Sequence, residues 1–208
     1  MIGIREVKKR LPAQERRELI IASARAALVK EGLRGFGISV VAKEAGVAIG
    51  LIGHYFGGID GLIKALLQSV VARRQSIQVE TPKTLETATV ALSNIVERNF
   101  HPNYYSRDNL LVWLPIFELA INNEDMRKSV MQRDDEDVCE IEGVIAVICS
   151  VRGKTANPPE VARLFFALLD GLWLRWCYSG RADYAEEKRL AIRLLEEHIG
   201  TFYVANSR

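Results

Sequence analysis

The sequence predicts an all-α protein of about nine helices. Apolar residues recur at helical rather than alternating spacing along almost the whole chain, and strand patterns are absent. Glycine, proline and short polar stretches then divide the pattern into helix-sized pieces.

The first helix runs from about Gln14 to Glu31. Ile20, Ala24, Ala27 and Leu28 form its apolar stripe, and Gly32 follows as a natural stop. "SVVAKEAG" (39–46) is a short helix closed by Gly46, and a second short helix spans about 48 to 55. Asp60 is placed to cap a longer helix that reaches about Gln78. The proline in "ETPKT" (80–84) marks a soft boundary, after which Leu85 to Phe100 is helical and "HPNYYSRDN" is a loop. Residues 110–121 are helical with a kink expected at Pro115. A long helix from about Asn123 to Ser150 is charged in its first half and apolar in "IEGVIAVIC". The loop "RGKTANPP" leads to a helix with Pro159 near its first turn and Gly180 just past its end. An amphipathic helix covers about Tyr184 to His198.

With 208 residues, 49% hydrophobic and 26% charged, the chain reads as one small and one medium folded unit. Its most apolar stretch, "EVARLFFALLDGLWLRWCYSG", carries Glu160, Arg163, Asp170 and Arg175, which argues against a membrane span. The N-terminus is polar and basic, unlike a secretory signal. Cys139, Cys149 and Cys177 are far apart in apolar contexts and read as buried thiols in a reducing compartment, so the expected location is the cytoplasm. Charge is uneven. Residues 1–64 hold 11 Lys/Arg against 6 Asp/Glu, and residues 65–208 hold 17 against 20, a basic front end suited to a polyanion.

Two short helices joined by "AGV" have the form of a helix-turn-helix, whose second helix enters the major groove. Val41, Ala42 and Val47 are placed to pack the pair, Ile52 to anchor the second helix, and Gly46 to supply the turn. "GISVVAKEAGVAIGLIGHYFGGIDGLIKALL" resembles the DNA-binding domain of TetR-family transcriptional regulators, through Ala45, Gly46, Val47, His54, Tyr55, Phe56 and Leu62. The resemblance implies a DNA-binding head over residues 1–62 and a helical effector-binding and dimerisation domain over 63–208, with the fourth helix as connector. It implies double-stranded operator DNA as partner. DNA contacts are expected from Lys43, Ala48, Ile49, Gly50, Leu51, Gly53, His54, Tyr55 and Lys64, with Arg16 and Arg17 in a basic arm that also holds Lys8, Lys9 and Arg10. Three departures weaken the expected grip: Gly37 and Ala48 stand where the family has hydroxyl caps, and Ile59 stands where it has a phosphate-binding Lys. Readout then falls to apolar contact, thymine methyls included, and to close backbone approach.

"NLLVWLPIFELA" (109–120) and "ALLDGLWLRWCYSG" (167–180) hold Trp113, Trp173 and Trp176. Aromatics at helical spacing usually fill a core. Here acids lie beside them, and a cation over each ring face gains roughly 0.5–2 kcal/mol. Both segments resemble the C-terminal domain of the BetI-like, choline-sensing TetR branch, "DGLWLR" most of all. That resemblance implies a small cationic effector such as choline, with Trp113, Phe117, Glu118, Asp170, Trp173 and Trp176 as contact residues. It also implies a homodimer through the last two helices, of which "VARLFFALLDGLWL" is apolar around most of its circumference.

A sensor of another metabolite or drug, and a helical binder with weakened DNA recognition, remain as alternatives. No catalytic, metal or cofactor site is expected. The three histidines (His54, His101, His198) are scattered, and the carboxylates of "DDED" (134–137) point in different directions around a helix.

Overall fold

The computed structural model describes residues 11–75 and 82–203. These form nine helices: α1 (Ala13–Gly35), α2 (Ile38–Ala45), α3 (Ile49–Phe56), α4 (Ile59–Gln75), α5 (Leu85–Asn99), α6 (Arg107–Asn122), α7 (Glu124–Arg152), α8 (Pro158–Ser179) and α9 (Ala185–Ile199). No strand is present among the described residues. None of their helices is long and apolar enough to cross a membrane.

Packing divides the described chain into two units. The first takes residues up to 75 with Asp108–Met131, and the second takes residues from 82 to Arg107 with those from Gln132 onward.

In the first unit α1 packs on α2 and α4, and α3 packs on α2 and α4. The predicted stripe of Ile20, Ala24, Ala27 and Leu28 is buried, and α1 breaks at Gly32, where φ of 69° leaves the helical region. Val41, Ala42 and Ile52 are buried as the motif requires, and Val47 is half-buried. Gly46 adopts the left-handed turn, φ 66° and ψ 38°. Asp60 is not a cap: α4 begins one residue earlier, at Ile59, which leaves Asp60 in its first turn, where a carboxylate still favours the helix N-terminus. On α6, Val112, Trp113 and Ile116 are buried, and Arg25 donates to Asn109 at 3.3 Å.

The second unit has one apolar core built from α5, the later part of α7, α8 and α9, with Leu92, Ile145, Phe165 and Leu195 among its fully buried side chains. Thr84 and Thr87 form a capping box at the start of α5. The helix expected from residue 110 begins at Arg107 instead. Tertiary bonds on Ser106 and Arg107 hold the extra residues in place, a context that local spacing does not contain. Pro115 sits inside α6, and the helix continues through it.

One thiol departs from expectation. Cys149 is buried and Cys177 half-buried, but Cys139 is exposed. It stands on the outward stripe of α7 with Gln132, Asp135, Glu136 and Ala146, so its apolar sequence neighbours Val138 and Ile141 face elsewhere.

Candidate nucleic-acid interface and aromatic clusters

The eight residues of α3 cannot hold a helix alone, and the neighbouring elements supply the support. Ile52 is its one fully buried side chain. Arg17 of α1 lies 5.3 Å from the centre of the Phe56 ring, and Gly57 closes α3 in the left-handed region with its N–H on Gly53 O at 2.8 Å. At the junction with α4 a Cβ on Gly61 would come within 1.7 Å of Phe56 O, so only glycine permits this approach.

What α3 turns to solvent is the face predicted to read DNA. Ala48, Ile49, Gly50, Gly53 and His54 are exposed, Ile49 by 57%, while Leu51 and Tyr55 are half-buried. Gly50 and Gly53 meet no packing demand, since a Cβ on either would find no neighbour within 4 Å. Lys43 on α2 and Lys64 on α4 are exposed cations of the same unit. Arg16 and Arg17 are half-buried: Arg16 donates to Leu11 O at 2.8 Å, and Arg17 is held on Phe56. Lys8, Lys9 and Arg10 of the expected arm lie outside the described residues. Gly37 and Ala48 occupy the N-cap positions of α2 and α3, and neither helix receives a side-chain cap bond.

The predicted effector residues fall in two places. In the first unit Trp113 is buried and stacks on half-exposed Phe117, ring centres 5.2 Å apart at 28°, with Glu118 exposed one residue on. In the second unit Asp170 is exposed, and Trp173, half-buried, donates its indole N–H to Ser106 O at 3.1 Å. Trp176 is buried, and its N–H goes to Asp183 O at 2.8 Å. It belongs to a cluster with Phe100, Tyr105 and Tyr184, and the guanidinium of Arg107 already covers its ring at 4.6 Å. The sequence carries no sign of this cluster: Tyr105 and Arg107 fall in the stretch expected to be a loop, and their distance along the chain from Trp176 leaves no periodic signal.

The outer face of α8 is also apolar. Leu164, Leu174 and Tyr178 are exposed there, as is Leu190 on α9. Among the described residues no group of three or more His, Cys, Asp or Glu is arranged to hold a metal ion.

A helix-turn-helix built on an all-α scaffold defines a DNA-binding regulator, and comparison with known proteins specifies which kind. Residues 20–66 match the family model of bacterial regulatory proteins of the TetR family, and residues 88–202 match that of the BetI-type transcriptional repressor C-terminal domain. The chain belongs to the TetR family of transcriptional regulators, in its BetI-type branch. It is 28% identical over 195 residues to the HTH-type transcriptional regulator BetI 1 of Chromohalobacter salexigens, covering 88% of this chain and 90% of that one. It is 27% identical over 208 residues to BetI of Burkholderia mallei, covering 95% and 94%. Among solved structures, a TetR transcription regulator from Haloarcula marismortui shares the fold with a TM-score of 0.73 at 20% identity, over 89% of this chain and 97% of that one. A protein described as a transcriptional regulator from Saccharomonospora viridis, solved in complex with choline, shares it with a TM-score of 0.75 at 21% identity, over 89% and 98%.

Proposed function

We propose that the protein is a ligand-responsive homodimeric repressor that acts in the cytoplasm, binds a palindromic operator and is released by a small cationic effector of the choline class. The observation that carries the DNA reading is the outward face of α3, on which Ile49, Gly50, Gly53 and His54 are exposed in the same unit as the exposed Lys43 and Lys64, and on which neither glycine meets a packing demand. A bare helix face lets backbone and small apolar groups approach base edges, with Ile49 suited to thymine methyls. Lys43, Lys64 and Tyr55 hold phosphate, and phosphate contact sets the register.

The dimer is proposed to form through α8 and α9, whose exposed Leu164, Leu174, Tyr178 and Leu190 supply an apolar face. A twofold pair places two α3 helices on successive major grooves about 34 Å apart. Effector contacts are proposed at either of two separate places, Trp113, Phe117 and Glu118 on α6 in the first unit, or Asp170 and Trp173 on α8 in the second. Support comes from the Trp113–Phe117 stack, and from the choline in the solved structure of the Saccharomonospora viridis protein. The effector relieves repression by binding more tightly to the conformation that cannot span the operator.

The uncapped α2 and α3 favour a second reading, a helical sensor with weak DNA recognition. One experiment separates the two: a mobility-shift series across salt concentrations with the intergenic DNA upstream of the gene, with and without choline. A specific shift that weakens with salt and is released by choline supports the repressor. Shifts that do not distinguish this DNA from random sequence support the second reading. A specific shift indifferent to millimolar choline leaves the repressor and removes choline as its effector.

A further inference from the structure

In the second unit, the C-terminal end of α8 gathers groups that attract a cation. Trp176 offers a ring face, the carbonyls of Cys177 and Arg181 act as acceptors, and the end of the helix adds partial negative charge. Tyr105 and Tyr184 pack against Trp176 with ring centres 5.3 and 5.6 Å away. Beside these rings Glu187 is 3% exposed, with one oxygen ion-paired to Arg181. Among the described residues, the other oxygen of Glu187 and the buried hydroxyl of Tyr105 have no hydrogen-bond partner. Two unpaired buried polar atoms in one cluster are an unusual cost for a folded protein to carry. The groups sense each other: burial first, and the Glu187 charge second, push the Tyr105 phenol far above its usual pKa.

A cation already stands there. The Arg107 guanidinium lies 4.6 Å from the centre of the Trp176 ring and donates to Cys177 O at 2.9 Å and to Arg181 O at 2.7 Å. Arg107 is nonetheless exposed, so solvent reaches the place it fills. A free guanidinium or ammonium ligand would use the same ring face and the same two carbonyls.

We propose that this end of α8 is a binding site for a small organic cation carrying N–H donors, and that Arg107 fills it as an internal competitor until such a ligand displaces it. The two carbonyls decide the ligand class. A primary ammonium or guanidinium replaces both hydrogen bonds that Arg107 gives up, whereas a quaternary ammonium replaces neither. Displacement also frees the first residue of α6, so occupancy is felt where that helix begins. The site goes beyond the function proposed above and does not depend on choline as effector.

The test titrates the full chain as wild type, Arg107→Lys and Arg107→Ala with methylguanidinium. Tetramethylammonium serves as a comparator of equal charge without N–H. Tryptophan fluorescence and thermal midpoint are followed. An internal competitor lowers apparent affinity in proportion to its occupancy. The alanine variant is therefore expected to bind methylguanidinium about tenfold more tightly than wild type, to regain on binding the midpoint that the substitution removes, and to leave the lysine variant in between. Equal or weaker binding by the alanine variant overturns the proposal. So does a wild type that never responds, or tetramethylammonium that matches methylguanidinium. Should the alanine variant fail to fold, the same ordering is read between lysine variant and wild type. A choline titration without effect would sink the effector proposed above and leave this ordering untouched.

Discussion

Phe56 and Gly61 meet so closely that the end of α3 and the start of α4 are joined backbone to backbone, with no room for a Cβ between them. Gly61→Ala is therefore expected to force the two helices apart and to cost about 3 kcal/mol, at the upper end for overpacking. Thermal unfolding would show it as a lowered midpoint, and operator affinity would fall with it. An alanine variant as stable as wild type would show that this junction relaxes freely.

Gly50 and Gly53 should behave in the opposite way. Open space surrounds both, and a helix gains about 0.5–1 kcal/mol when an interior glycine becomes alanine. Gly50→Ala and Gly53→Ala are expected to raise the midpoint while lowering operator affinity, because the added methyl stands between α3 and the groove. Raised stability with undiminished affinity would take this face out of the interface.

Ala48 has the backbone of an N-cap, φ −69° and ψ 143°, without the oxygen. Ala48→Ser should supply that oxygen to an early amide of α3 and add about 1 kcal/mol. Tighter operator binding is the expected companion, read in a salt-matched shift assay. If the serine raises stability alone, the missing cap does not govern DNA affinity, and Ile59 is the next position to change.

Thiol labelling gives a simple check on the fold. At pH 8 one equivalent should react fast, and Cys139→Ser should abolish that phase. Cys177 is expected to lag, because burial pushes its thiol up to about 11 even though Arg107 pulls the other way. Two fast equivalents would contradict the burial of Cys149 on α7 or of Cys177 on α8.

Glu97, Lys188 and Tyr203 form a clamp with a defined pH window. Lys188 donates to both Glu97 oxygens at 2.8 and 2.7 Å, and the Tyr203 hydroxyl donates to one of them. Burial alone would raise the Glu97 pKa, but the bonds from Lys188 and Tyr203 win and hold it below the usual 4.5. Glu97 thus contributes stability above its ordinary pKa and loses it as pH falls through the lowered folded value. Burial alone would lower Lys188, yet its pairing with Glu97 raises it, so its contribution holds below 10.5 and fades as pH rises through the raised value. The midpoint difference between wild type and Glu97→Gln should be present at neutral pH and vanish in acid. A difference that ignores pH would mean that shape, not charge, matters there.

The head was largely legible because its signals are local. The "AGV" turn, the stripe on α1 and the uncapped positions Gly37 and Ala48 all lie within a few residues of the features they determine. The aromatic body was less legible. That Trp113 stacks on Phe117 follows from a step of four on one helix. That Arg107 covers Trp176 follows from the start of α6 and the end of α8 meeting 69 positions apart, and no period encodes that meeting. The Asp60 misplacement was of a third kind, in which a good capping residue was outcompeted by a helix that starts on a glycine-rich approach.

The Tyr203–Glu97 contact also orders events during synthesis. Its partners are 106 residues apart, and Arg152 likewise waits for Ile199 and Thr201 to accept its hydrogen bonds. By contrast α1 to α4 are complete by residue 75 and can pack on one another as soon as they leave the ribosome. The four helices around the turn can thus pack early, although their unit still waits for α6, while the unit around α8 and α9 cannot close its last contacts until residue 203 has been made.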